Sequence, residues 1–228
     1  MRRIKIPWLK PLNGWRGFLG EIAIIVIGVL LALGAQQAVD TWNWRGEVSE
    51  FRKAVDYELS LDLGTYEYRF RQAGCVGRRL DQIEVWLQSS KTGSLPKLLR
   101  PIGRPSMLSQ YSSVWDNKDN DVTAHLPLKD RLQYAQLYDE FRTINGLKLD
   151  ERELWRSLAD FEYADELNHE DRMRLGGLIS RARAINELLN ANYPLMIQLA
   201  SSAGLRPVAV PDVAAPDPAF CLALIPTT

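Results

Sequence analysis

From Phe18 to Val39 the chain reads FLGEIAIIVIGVLLALGAQQAV, an apolar run with one acid, Glu21, near its start and no charge between Ile22 and Val39. As a helix, residues 22–39 would extend about 27 Å at 1.5 Å per residue, close to the roughly 30 Å of bilayer hydrocarbon. A buried core helix would have polar flanks of mixed sign and would rarely run so far without a charge, so the stretch is read as a membrane span. Trp8, Trp15 and Phe18 precede it and Trp42 and Trp44 follow it. Trp15 and Trp42 would lie about 40 Å apart along a helix, one at each headgroup belt, which makes the lipid bilayer the first expected partner. Glu21 suits a helix start, where the macrodipole favours an anion and Arg16 is within reach.

Orientation follows from charge. Arg2, Arg3, Lys5, Lys10 and Arg16 give residues 1–20 a charge of +5 with no acid, and because the whole chain is formally neutral the remainder carries −5. Basic residues beside a span stay cytoplasmic, so the expected topology is N-terminus inside and everything after Trp42 outside, in the bacterial periplasm. Ala32, Gly34 and Ala35 supply the small residues of a possible signal-peptide cleavage point. The apolar segment is longer than a usual signal core and Glu21 stands at its border, so an uncleaved anchor is expected, with the protein beginning near Met1 and resisting alkaline carbonate. Gly28, Ala32 and Ala35 share one face of the span, a small-residue pattern that lets helix backbones approach and allows a homo-oligomer.

With charged residues at 25% in balanced numbers there is no global basic field, and nucleic acid is not an expected partner. Four regions are expected: a basic interfacial segment at 1–17, the anchor at 18–41, one helical domain at 42–206 and a proline-rich docking tail at 207–228. Val48, Phe51, Val55, Leu59, Leu63, Tyr66 and Phe70, then Leu80, Ile83 and Leu87, recur at steps of three and four, the period of an amphipathic helix, and Gly74 and Gly77 are expected either to loosen it there or to let another segment approach closely. Residues 89–106 are too rich in proline and glycine for a helix. A short helix is expected over 105–115, and a polar loop over 116–121. Leu126-Pro127 opens a helix that Asn145-Gly146 should end, and Asp150, with Glu153 three residues on, should cap another reaching Leu167. Asn168 then begins a last helix with a heptad-like seam at Leu175, Leu178, Ala182, Ile185, Leu189, Asn192, Met196 and Leu199, kinked at Pro194. The fold class is therefore all-α: a transmembrane helix, an antiparallel helical bundle and an extended proline-rich tail.

Chemistry is sparse. Glu166-x-x-His169 is half of a carboxylate-bridged di-iron motif, but no second Glu-x-x-His occurs, so His169 reads as a helix-end surface residue. His125 reads as a hydrogen-bonded loop residue. Asp116, Asp119 and Asp121 fail the calcium-loop spacing, which puts Ala124 where glycine is required. Ser109, Ser112 and Ser113 have no base nearby in sequence. No Gly-x-Ser-x-Gly elbow, phosphate-binding glycine loop, His-Glu-x-x-His or Cys-x-x-Cys occurs. No catalytic residue, metal ligand or cofactor is expected.

Gly20-Glu21-Ile22, the run Ile25-Val26-Ile27-Gly28 on to Val39, and Trp42-x-Trp44-Arg45 resemble the N-terminal signature of a family of uncharacterised single-span membrane proteins of Gram-negative bacteria. The resemblance continues in Cys75-x-x-Arg78-Arg79-Leu80-Asp81 with Trp86, and in Leu126-Pro127 with Tyr134-Ala135-x-Leu137-Tyr138, over about half the chain. It implies topology and no chemistry. The even cysteine count, the oxidising compartment and the resemblance together favour a bond between Cys75 and Cys221 over two separate buried thiols. Such a bond would staple the apolar end Phe220, Leu222, Leu224 and Ile225, and its loss should free the tail before it unfolds the bundle. The functional expectation is a periplasmic protein-interaction or envelope-scaffolding module. A ligand-sensing bundle that signals through a partner is the alternative, and an envelope hydrolase the third reading.

Overall fold

A computed structural model describes residues 14–91, 95–210 and 218–226; Trp8 and the basic segment before Gly14 lie outside them. The regular structure among the described residues is helical throughout, so the chain is all-α. It divides into two units, Met1–Glu50 and Phe51–Thr228. Helix α1 (Gly14–Phe70) supplies the described part of the first unit and opens the second. Within the first unit every residue from Phe18 to Asn43 is exposed, and this is a helix long and apolar enough to cross a membrane.

The second unit is built on three legs. The first is residues 51–70 of α1 followed by α2 (Ala73–Ser89); the second is α5 (Leu128–Ala159); the third is α6 (His169–Ser202). Ion pairs and hydrogen bonds join Arg52 to Asp130, Asp56 to Tyr134, Glu58 to Tyr138 and Arg69 to Glu151, so the first leg and α5 run in the same direction. Helix α6 is antiparallel to both: Tyr66 reaches the Leu189 carbonyl while Asp81 and Glu84 meet Arg183 further along. Two parallel legs need a long connection, and residues 90–127 provide it, with two short helices, α3 (Ser113–Asp116) and α4 (Asn120–Ala124).

Two apolar cores lie along the bundle. One gathers Val55, Leu59, Leu63 and Tyr66 with Tyr138, Phe141, Leu189 and Met196, around Trp115 stacked on Tyr138 at 5.2 Å. The other gathers Leu80, Ile83 and Trp86 with Leu154, Trp155, Leu158, Leu175 and Ile179, and takes in Phe220 and Leu224 from the tail.

Several local expectations are corrected by tertiary packing. Asn145-Gly146 does not end a helix and Asp150 does not cap one, because α5 runs through both. Gly146 is exposed, and a helical glycine costs only about 1 kcal/mol against alanine. Continuing the helix buries Leu154, Trp155 and Leu158, at about 1.5–3 kcal/mol for each large side chain. The helix stops at Ala159 rather than Leu167, and the connection that follows still buries Phe161 and Leu167. Its Glu162 carboxylate accepts the backbone N–H of Ile102 at 2.7 Å. The first leg breaks between Phe70 and Ala73, before the glycines rather than at them. There Gln72 turns its amide to Ser106, donating to its carbonyl at 2.9 Å and accepting its N–H at 2.8 Å. Over 105–115 no helix forms before Ser113, and α3 and α4 take up part of the 116–121 stretch. Asn168 caps α6 as expected, in a reciprocal pair with Asp171.

Candidate functional site

On the first leg, Glu58, Asp62, Thr65 and Arg69 of α1 and Gln72 just beyond it recur at steps of four and three beside the apolar stripe, and all five are buried. Arg69 donates from Nε to Glu151 at 2.8 Å and from Nη2 to the other Glu151 oxygen and to Asn186 at 2.9 Å. Asn186 in turn donates to the Ala73 carbonyl. One residue from each leg thus meets in an ionic layer between the two apolar cores.

The layer continues under the 90–127 connection. Asp62 accepts the Tyr111 N–H at 2.8 Å, and Lys148 donates to the Leu108 carbonyl at 2.7 Å. Glu58 accepts from the Val114 N–H at 3.0 Å, the Ser113 hydroxyl at 3.1 Å and the Tyr138 hydroxyl at 2.6 Å. Burial, with the Glu58 charge adding to it, pushes the Asp62 carboxyl up to about 7 against the Tyr111 N–H and Lys148. Burial pulls the Lys148 ammonium down to about 8, opposed by the Asp62 charge. Asp62 Oδ2 and Arg69 Nη1 are buried without a hydrogen-bond partner among the described residues. Asp62 and Lys148 are thereby moved toward neutrality, the range that catalytic acids and bases also occupy. Asp62 and Glu151, at 0% exposure, face the interior, where directional buried bonds join the three legs.

A second constellation holds the tail. Cys75 and Cys221 are at disulfide distance, with Cα atoms 4.9 Å apart. Arg79, buried beside them, donates from Nη2 to the carbonyls of Phe220 at 2.7 Å and of Ala219 and Leu222 at 3.3 Å, gripping the 3-10 turn Pro218–Cys221. Its own burial, and then Arg100, lower its proton affinity. Gln82 accepts the Leu224 N–H, Leu99 donates to the Leu224 carbonyl, and Phe220 meets Trp155 edge-on at 5.5 Å. Of the expected apolar staple, Phe220 and Leu224 are buried, Ile225 is partly buried, and Leu222 is exposed. Upstream, Val208 donates to the Ser60 carbonyl where the chain crosses Gly64, and a Cβ at Gly64 would collide with the Val208 carbonyl oxygen.

A third feature is an open cleft of about 930 Å³ lined by Phe70, Tyr193, Pro194, Ile197 and Pro207, with Glu67 and Arg206 among its polar residues. Phe70 and Tyr193 stack at 4.1 Å. Pro194 lies inside α6 and has no N–H for the Asn190 carbonyl; both residues line the cleft.

The other singled-out residues are dispersed. Trp15 and Trp42 are largely exposed, Trp44 is half-buried and Glu21 is exposed. Gly28 has open space around it, and Ala32 and Ala35 are exposed on the same helix. His169 is the exposed first residue of α6, and His125 bonds the Asp121 carbonyl. Asp116 pairs with Arg142 and Ser112, Asp119 caps α4 through the Asp121 N–H, and Ser113 is bound to Glu58. Among the described residues no three His, Cys, Asp or Glu side chains converge to hold a metal. The ionic layer and the Arg79 grip were missed in the sequence, although the four-three recurrence of Glu58, Asp62, Thr65, Arg69 and Gln72 was a legible sign of a buried face wider than its apolar stripe. No family model, curated protein or solved structure matches this chain.

Proposed function

We propose that this is a membrane-anchored helical module of the bacterial envelope that works by holding a protein partner or supporting an assembly. In this reading it crosses the inner membrane once, with its N-terminus in the cytoplasm and residues 51–228 in the periplasm, as a member of the single-span family its signature resembles. The basic segment ahead of the span and the exposed apolar helix support the topology. The observation that carries the role is the open cleft with Phe70, Tyr193, Pro194, Ile197 and Pro207 on its walls. Aromatic and proline surface of this kind is the composition of protein-binding patches, and an open shape suits a chain segment better than an enclosed small molecule. The second reading, a ligand-sensing bundle, draws on the same cleft, whose volume is within the small-molecule range.

A photoreactive amino acid placed at Ser201, on the cleft, should yield a discrete adduct in intact cells, while the same residue at exposed Ser180 should not. Equal labelling at both positions, or none at either, sinks the partner reading. A periplasm-dependent reporter fused after Thr228 should be active, and activity of a cytoplasm-dependent one instead would reverse the topology.

A further inference from the structure

We propose that the Cys75–Cys221 disulfide is a thiol-exchange site with a built-in direction, in which an incoming dithiol attacks Cys221 and Cys75 is the leaving group. Two features of Cys75 and one of Cys221 carry this. Cys75 is the third residue of α2, inside the first turn of a 17-residue helix, where free backbone N–H groups and the macrodipole stabilise a thiolate. Arg78, one turn on and exposed, donates from Nη2 to Cys75 Sγ at 3.3 Å. Cys221 is exposed at the end of its 3-10 turn, so it is the side from which a reagent approaches. In thiol–disulfide exchange the sulfur whose thiol has the lower pKa leaves faster, so both charge and access select the same direction.

The step balances within the reactants. A thiolate of the dithiol forms a bond to Cys221 Sγ as the Cys75–Cys221 bond breaks, and the electron pair goes to Cys75 Sγ. The second thiol of the reagent then displaces Cys221, so the reagent leaves as its own disulfide and both cysteines end reduced, with the two protons given up by the reagent. The turn has other holds after the bond opens. Arg79 still grips three carbonyls, Gln82 still accepts the Leu224 N–H, and Leu224 stays fully buried. The two sulfurs therefore remain neighbours, and a disulfide reagent can close the bond again, taking up the two electrons and two protons and leaving as its dithiol. The device is a reversible redox latch on the tail, and it does not depend on the proposed partner.

The test uses the full, oxidised chain in mild detergent with reduced glutathione as the attacking thiol. Acid-quenched samples are denatured, alkylated with N-ethylmaleimide and peptide-mapped. Glutathione is expected on Cys221 and maleimide on Cys75. Glutathione on Cys75, an even split, or exchange only after denaturation would overturn the proposal. A second measurement separates direction from mere exposure: Arg78→Gln should slow exchange by about threefold while Arg78→Lys keeps the rate, because the cation acts on the leaving thiolate. Equal rates for both variants and the parent would count against it. In Cys221→Ser, Cys75 should alkylate with a pH midpoint below the ordinary cysteine value of about 8.5, and a midpoint at or above it would remove the chemical basis.

Discussion

The two apolar cores of the bundle are held by different means. The core around Trp115 is aromatic with polar rims: the Tyr134 hydroxyl donates to Asp56, Tyr138 to Glu58 and Tyr66 to the Leu189 carbonyl. The core around Trp155 is closed from outside by the tail, through a disulfide, an arginine grip and the buried Phe220 and Leu224. Between them lies the layer of Arg69, Glu151 and Asn186. The contrast teaches that a three-leg bundle with a long same-direction connection has two separate problems. It must set the register of its legs, which directional buried bonds do, and cover the end where only short segments are at hand, which cross-linking does.

The largest effect should come from the layer that divides the cores. Glu151→Ala leaves the Arg69 guanidinium buried and unpaired and should cost about 3–5 kcal/mol in urea unfolding, whereas Arg69→Met with Glu151→Leu should cost far less. If the double replacement is as damaging as the single, the layer supplies stability rather than register.

Cys221→Ser should cost about 2–4 kcal/mol and act on the Trp155 core alone. Limited proteolysis should remove the tail before the bundle unfolds, and hydrogen exchange should rise in α2 before it rises in residues 55–66. Simultaneous loss of protection in both would mean that the two cores unfold as one.

Acid–base behaviour should single out the connection above the layer. Asp62 is held up at about 7, so the folded chain binds the extra proton and stability falls as pH rises from about 4 to about 7. Lys148 is held down at about 8, so the unfolded chain binds more protons above that value and stability recovers between about 8 and about 10.5. The minimum should lie between about 7 and 8, and Asp62→Asn should flatten the acid limb. An unchanged limb in that variant would place the titration elsewhere.

Two glycines give the smallest and most diagnostic pair. Gly64→Ala should cost about 1–3 kcal/mol by pushing the Val208 segment off α1, while Gly146→Ala, in open space on α5, should gain about 0.5–1 kcal/mol. Opposite signs by thermal melting would show that one glycine is there for a close approach and the other only interrupts a helix.

What the sequence determined by itself was whatever depends on one helix and its solvent: the long apolar N-terminal helix, the period of three and four along the later legs, and the Asn168 cap. Each is a local pattern whose physical cause lies within a few residues. It also supplied the Cys75–Cys221 pair, as an expectation drawn from the even cysteine count, the expected compartment and the family resemblance together. Only the tertiary structure decided that α5 runs through Asn145-Gly146, because the gain lies in burying Leu154 and Trp155 against elements distant in sequence. The four-three recurrence of Glu58, Asp62 and Arg69 hints at a wider buried face, but only the tertiary structure pairs Arg69 with Glu151, 82 residues apart, and buries Lys148, because the partner arrives from another leg.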